Sequence, residues 1–550
     1  MNLSSVRQWL AGVKHDAKLT INIEEAHGQD KLNRQLGLIS VVLFTITQAV
    51  GAGILTTPGI IARDYAGPFG WVSFLWAGLI CAPAALCLAK MASITSRSGS
   101  TGSYACLVLG QFVGFLMFFD VMLECLGGTA AVAVSQADHI KMILRIAFGL
   151  HLPDVITKTP EVVQWGQLGL AITGGIASTL LIRFGLRNRT SLEPQKKRLA
   201  FATLTAGGAA GVFGLISVIG FATALPSINL LSMGVVGLIT VILMRGIKET
   251  AFLTNVFTIT KLVVITFIVF LLAQHYDPAN LALPVPAHLP GSLAGASIAF
   301  FAFVGLDLAT MTAGETKNAR RNVPVGMLIG LVAVTVMYIV AAYFLSAAVP
   351  YTQIGVGGHE EAAPMAQALE ILGYKSAVVW VALGSTVALI SVLLASAYST
   401  TRLVYNMAQH KLLPEAFEKV SEKRQVPVLA TLMVGGGVAL LTGLLAVGEL
   451  MHLTNIGTMT AFITISLTVL VKTLRETNWK NRVELRSGIF WIVVAALGVL
   501  GSGRLMIELP WEAFARLAVV WSAVTLLFVF YSRHRSLARF QNANKKDETK

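Results

Sequence analysis

The chain has 550 residues, of which 55% are apolar and 13% charged, and its mean hydropathy is +0.71. That balance cannot clothe a water-soluble surface, which excludes a soluble enzyme, a disordered protein and a fibrous protein. The formal charge of +14, from 42 Lys and Arg against 28 Asp and Glu, invites a nucleic-acid reading, but most of the basic residues fall in alternate loops on the side of the N-terminus. This asymmetry predicts an integral plasma (inner) membrane protein with both termini cytoplasmic and no nucleic-acid partner.

Residues 1–34 are polar, mixed in charge and without an apolar core, so a cytoplasmic tail is expected in place of a cleaved leader. A spanning helix needs about 20 predominantly apolar residues. The apolar runs predict fourteen of them, near 38–62, 68–91, 104–135, 163–185, 200–222, 226–247, 251–273, 291–314, 325–349, 377–405, 427–447, 450–474, 487–505 and 512–532. The uncharged run 199–244 is long enough for two bilayer crossings, and Pro226 provides the turn between them. Cys81, Cys87, Cys106 and Cys125 lie in or beside apolar runs, which argues against a disulfide framework. The longest external loops are expected at 136–161 and 351–375, too short for a soluble domain. Moving a solute is the commonest use of such an architecture, with a channel or an intramembrane enzyme as alternatives.

Lipid offers no hydrogen-bond partners, so irregular backbone within a span must face protein or a wet cavity. Two spans carry candidate breaks. The first reads TQAVGAGILTTPG, with Gly51 and Gly53 around Ala52 and Pro58 beyond; the second reads FFAFVGLDLATMTAGE, with Gly305 after Phe301, Ala302, Phe303 and Val304. A lone Gly-x-Gly usually serves close helix packing, but paired breaks in the two halves of a chain mark midplane sites in many transporters. Unwinding at 51–54 would give a carboxylate free N–H groups and the positive end of a half-helix, while carbonyls ending the preceding half could hold an ammonium. A zwitterion matches those two poles. Phe301 and Phe303 are candidates for an apolar wall, and Asp307 for the N-cap of the restarting half-helix.

Lys261 lies about 15 Å into its span, close to the midplane. A charge at that depth must be paired, hydrated or neutral, and proton coupling is the first expectation for it; donation to carbonyls at a helix break is the structural alternative. Asp120 and Glu124 share one helix face, and a Glu124–Lys261 interaction, direct or through water, would satisfy both partners.

At these residues the chain resembles the amino acid–polyamine–organocation transporters, in particular the cationic amino acid transporter branch and its bacterial relatives. GAGI at 51–54 resembles the family's unwound helix 1, and FFAFVGLD at 300–307 with GETKNARRNVP at 314–324 its helix 6 and following loop. LECLGGT at 123–129, GIKET at 246–250, TTRLVYNMAQHKLLP at 400–414 and NIGTMTAF at 455–462 are similar to other family segments. The resemblance implies an all-α polytopic fold with a LeuT-like five-plus-five inverted repeat, the first repeat in 35–273 and the second in 291–474. Two C-terminal helices would follow in 487–532, and a basic cytoplasmic tail in 533–550. It further implies that Gly51, Ala52, Gly53 and Ile54 receive the substrate carboxylate, that carbonyls from Phe301 through Ala302 and Phe303 to Val304 receive its amino group, and that Lys261 stands where sodium sits in sodium-coupled relatives. The sequence departs from the pattern at Lys90, where the family has a glutamate, at 408–411, and in an inserted hairpin at 163–222 that is a candidate for self-association.

The expectation is therefore a proton-coupled amino acid symporter needing no cofactor, with an exchanger as the nearest rival. A phosphate-binding loop is missing, because Thr56 takes the third glycine position of GAGILT, and no H-E-x-x-H zinc motif occurs. Whether the substrate is cationic or neutral stays open.

Overall fold

The computed structural model describes residues 36–94, 100–153, 157, 228–245, 250–282, 289–311, 313, 316–354, 364–409, 412–421, 426–478 and 481–529. The expected tails at 1–34 and 533–550 and the hairpin at 163–222 lie outside these residues. Among the described residues the chain is helical, apart from one isolated parallel bridge between Leu36 and Thr316.

The helices are α1 (Leu38–Ala49), α2 (Ala52–Leu55), α3 (Thr57–Ile61), α4 (Gly70–Ile94), α5 (Thr101–Val108), α6 (Gln111–Phe148), α7 (Leu230–Arg245), α8 (Thr250–Ala273) and α9 (Leu289–Ala299). They continue with α10 (Leu308–Met311), α11 (Ala319–Ala348), α12 (Pro364–Ile371), α13 (Lys375–Gln409), α14 (Val428–Leu444), α15 (Val447–Glu476), α16 (Arg482–Ile507) and α17 (Trp511–Leu527). Eight described segments are long and apolar enough to cross a membrane, and three shorter apolar helices accompany them. The molecule is a multi-pass membrane protein.

Two of the expected spans are discontinuous. The first separates into α1, α2 and α3, with non-helical backbone at Val50 and Gly51. Unwinding is thus narrower than 51–54, since Ala52–Leu55 is already a helical turn. The other interrupted span runs as α9, then a 3-10 turn at Phe300–Phe303, then a reversal through Gly305 at φ +90° before α10.

A further difference lies in α6. An external loop is expected from 136, yet the helix continues to Phe148 and closes at Gly149 with φ +64°. The polar residues Gln136, Asp138 and His139 that suggest a loop are buried against protein. Asp138 is paired one turn on with Lys141, and His139 bonds the Ser135 carbonyl through Nδ1 at 2.8 Å. Pairing of this kind lets Asp138 and His139 continue a buried helix, while Gln136 Oε1 is buried without a hydrogen-bond partner among the described residues.

The helices approach closely where side chains are small, the packing that lipid surroundings favour. α6 lies along α13 and α15, and α11 along α1 and α4. At Gly457 of α15 an added Cβ would come within 2.9 Å of the Asp120 carbonyl on α6; at Gly330 of α11 it would meet Thr45 of α1 at 2.6 Å. These contacts leave no room for a methyl group. Replacing Gly330 with Leu is expected to force α1 off α11, costing about 1–3 kcal/mol, and to lower the melting temperature of the detergent-solubilised protein by several degrees. An unchanged melting temperature would show that the α1–α11 contact yields freely.

Candidate functional site

An unbroken helix would direct the carbonyls of Thr47, Ala49 and Val50 to the N–H groups of Gly51, Gly53 and Ile54. At the first break Ile54 N–H donates to Gly51 O instead, at 3.3 Å. Side chains from other helices serve the carbonyls. Lys261 of α8, 0% exposed, donates from Nζ to Thr47 O at 2.7 Å and to Val50 O at 2.9 Å. Thr258, a turn before it, meets the Thr47 hydroxyl through its own. The hydroxyl of Tyr338 on α11 lies 2.6 Å from Ala49 O.

The second break is served in the same way. The Tyr338 hydroxyl also lies 2.9 Å from Ala302 O. Asn455 of α15 donates from Nδ2 to Ser297 O at 2.6 Å, close to the end of α9. Gly305 N–H, turned out of the helix by its positive φ, donates to Glu124 Oε1 on α6 at 3.3 Å. A backbone group left unpaired at this depth would cost several kcal/mol, so these side chains are what allow the chain to break here.

Two expectations are corrected by this arrangement. Lys261 does not reach Glu124 directly: among the described residues no ion pair joins them, and each is directed to a different break. The carbonyls at the end of α1 are the nearer partners for an ammonium on α8. Asp307 makes no carboxylate cap of normal hydrogen-bond geometry at the start of α10; Leu308 N–H donates to Gly305 O and Thr310 N–H to the Asp307 carbonyl. Both Asp307 carboxylate oxygens are buried without a hydrogen-bond partner among the described residues, as is Glu124 Oε2. Asp307 and Asp120 are the charged neighbours of Glu124.

Between the breaks lies a cavity of about 30 Å³, walled by Gln48, Gly51, Gly53, Glu124, Phe301 and Gly305 among others. It has room for a water molecule or two, so an amino acid requires the breaks to part. Of the sequence candidates, Gly51, Gly53, Phe301, Val304 and Glu124 line it. Ala302 lies behind, its Cα only 2.7 Å from where a Cβ on Gly53 would stand, and the Phe303 ring packs on Tyr338. Ala52 opens α2, Ile54 is buried within it, and Lys261 stands behind α1.

Five polar residues of the site, Gln48, Ser396, Tyr338, Thr258 and Asn455, have no place among the sequence candidates. Gln48 spans the cavity wall, its Nε2 donating to Ser399 Oγ and its Oε1 accepting from Ser396 Oγ, both at 3.3 Å. An amide two residues before Val50-Gly51 in an apolar run is a signal that could have found it. Ser396, Thr258 and Tyr338 give no such signal, since hydroxyls in apolar helices commonly bond their own backbone.

Residues 36–532 match a protein family described as amino acid permease. Among curated proteins, the chain is 29% identical over 513 residues to a methylthioribose transporter of Bacillus subtilis (strain 168), covering 92% of this chain and 95% of that one. It is 28% identical over 519 residues to the branched-chain amino acid permease BcaP of the same organism, covering 94% and 96%. To cationic amino acid transporter 9, chloroplastic, of Arabidopsis thaliana it is 25% identical over 480 residues, covering 86% of this chain and 73% of the relative.

The turn at Gly305 gives a direct check on the geometry. Gly305→Ala places a side chain at φ +90° and a Cβ 3.0 Å from Gln48 Cβ, a strain of about 1–3 kcal/mol. Transport is expected to fall about tenfold or more with folding retained, read by uptake into vesicles beside the elution profile of the purified protein. Wild-type uptake in this variant would mean that the reversal is not needed.

Proposed function

The chain belongs to the amino acid permease family, and we propose that within it this protein is a proton-coupled symporter of amino acids. The observation that carries the reading is the meeting of two broken helices around one buried cavity lined by residues of both, so that the start of α2 supplies an N–H pole and the end of the turn after α9 a carbonyl pole beside it. Those poles are complementary to a zwitterion. In this reading the segments 51–54 and 301–304 hold the α-carboxylate and the α-amino group, and transport proceeds by alternating access of the bundle that carries both breaks.

Lys261 supports the proton part. It is enclosed at membrane depth and among the described residues bonds only backbone carbonyls, and intramembrane ionisable groups usually serve ion or proton movement. As an ammonium it ties Thr47 and Val50 to α8; on losing a proton it can tie only more weakly, so protonation is linked to the position of α1. Glu124 and Asp307, buried as neighbours with no ion pair to either among the described residues, offer a second place for a proton.

The same reading places the protein in the plasma membrane with both termini cytoplasmic. The inverted repeats are then 35–273 and 291–474, 487–532 is an appended helix pair, and the insertion at 163–222 completes fourteen helices and offers a surface for self-association.

Purified protein in liposomes, given a panel of cationic and neutral amino acids together with methylthioribose, tests the reading. Saturable accumulation of an amino acid that rises several-fold under an inward proton gradient is the expected result. Accumulation of methylthioribose alone would transfer the site to that substrate class. Exchange without response to the gradient would make the protein an antiporter, and unsaturable ionic current would make it a channel.

Lys261→Ala is expected to lose the gradient-driven component altogether. Its persistence at wild-type strength would remove the lysine from coupling.

A further inference from the structure

Tyr338 lies in the middle of α11 and is 0% exposed, yet it is not part of the cavity wall. Its ring packs against Phe74 of α4, with centroids 5.4 Å apart, and against Phe303 in the 3-10 turn at 5.7 Å and 86°. Its hydroxyl reaches Ala49 O on one broken helix and Ala302 O on the other. A phenol has one proton. Without it, two carbonyl oxygens freed by separate breaks would face each other across a dry gap, unsatisfied and mutually repelling. With it, both are held to one point at the rear of the cavity, where Gly53 also abuts Ala302.

We propose that Tyr338 is a positioning residue: a clamp that sets the two breaks in register, so that their opposite faces present the groups that receive a substrate's α-amino and α-carboxylate ends. The inference rests on the amino acid reading of the site and deepens it. The clamp acts on backbone common to every amino acid substrate and touches no part of the wall that a side chain would meet. Its removal therefore weakens all amino acid substrates by the same factor and leaves their order of preference intact.

Tyr338→Phe keeps the ring and its two aromatic contacts and removes only the hydroxyl. In proteoliposomes the KM of every transported amino acid is expected to rise about tenfold, the scale of one lost buried hydrogen bond, with kcat within about twofold. In the substrate-free protein, amide hydrogen exchange is expected to accelerate in peptides covering 49–56 and 300–308, and not in peptides from α15. This second measurement needs no substrate, so it separates the two ideas. Faster exchange at both breaks in a protein whose wild type carries no amino acid would keep the clamp and sink the amino acid reading. Unchanged exchange at the breaks, unchanged KM in a transporting protein, or a KM rise confined to one side-chain class would overturn the clamp.

Discussion

A polypeptide can leave the helical path inside a membrane only if every backbone group it releases is met by another part of the protein. The arrangement around the cavity follows from that constraint. Five carbonyls and one N–H, freed or exposed near the two breaks, are served by Lys261, Tyr338, Asn455 and Glu124, which come from four different helices. The breaks can therefore exist only where α6, α8, α11 and α15 converge. The close glycine contacts along those helices bring them near enough to do so. Packing and polarity, often described separately, are here one requirement.

The partners also differ in chemistry. Asn455 is a neutral donor with one fixed role. Tyr338 shares a single proton between two acceptors, and Lys261 and Glu124 can change charge. A site built wholly from neutral donors would satisfy the same carbonyls without responding to its surroundings. In the proton-coupled reading proposed above, the ionisable groups among the partners tie the state of a proton to the geometry of the chain.

Much of the fold was legible in the sequence, because apolar length and glycine placement are local signals. The span from α4, both interrupted spans, α11 and α13 to α17 lie within a few residues of the segments read from hydropathy, with α11 starting earlier than expected and α12 falling inside the expected external loop 351–375. The end of α6 was misread because Gln136, Asp138 and His139 look like a solvated loop, and only tertiary burial shows otherwise. The site was legible as two breaks and a deep lysine. Which carbonyl each side chain serves was not, since it depends on contacts between different helices, 36 to 289 positions apart in the chain. Lys261 and Glu124 illustrate the limit: depth identifies both as needing partners but cannot say that each is directed to a different break.

The approach of Gly53 to Ala302 has a consequence for leakage. Gly53 meets the main chain and the methyl group of Ala302, neither of which has a rotamer to change. α2 and the turn after α9 must separate as rigid pieces or stay shut. A path closed by a swinging side chain admits stray ions during thermal fluctuation, whereas one closed by abutting backbones behaves as a shutter, open or shut with little between.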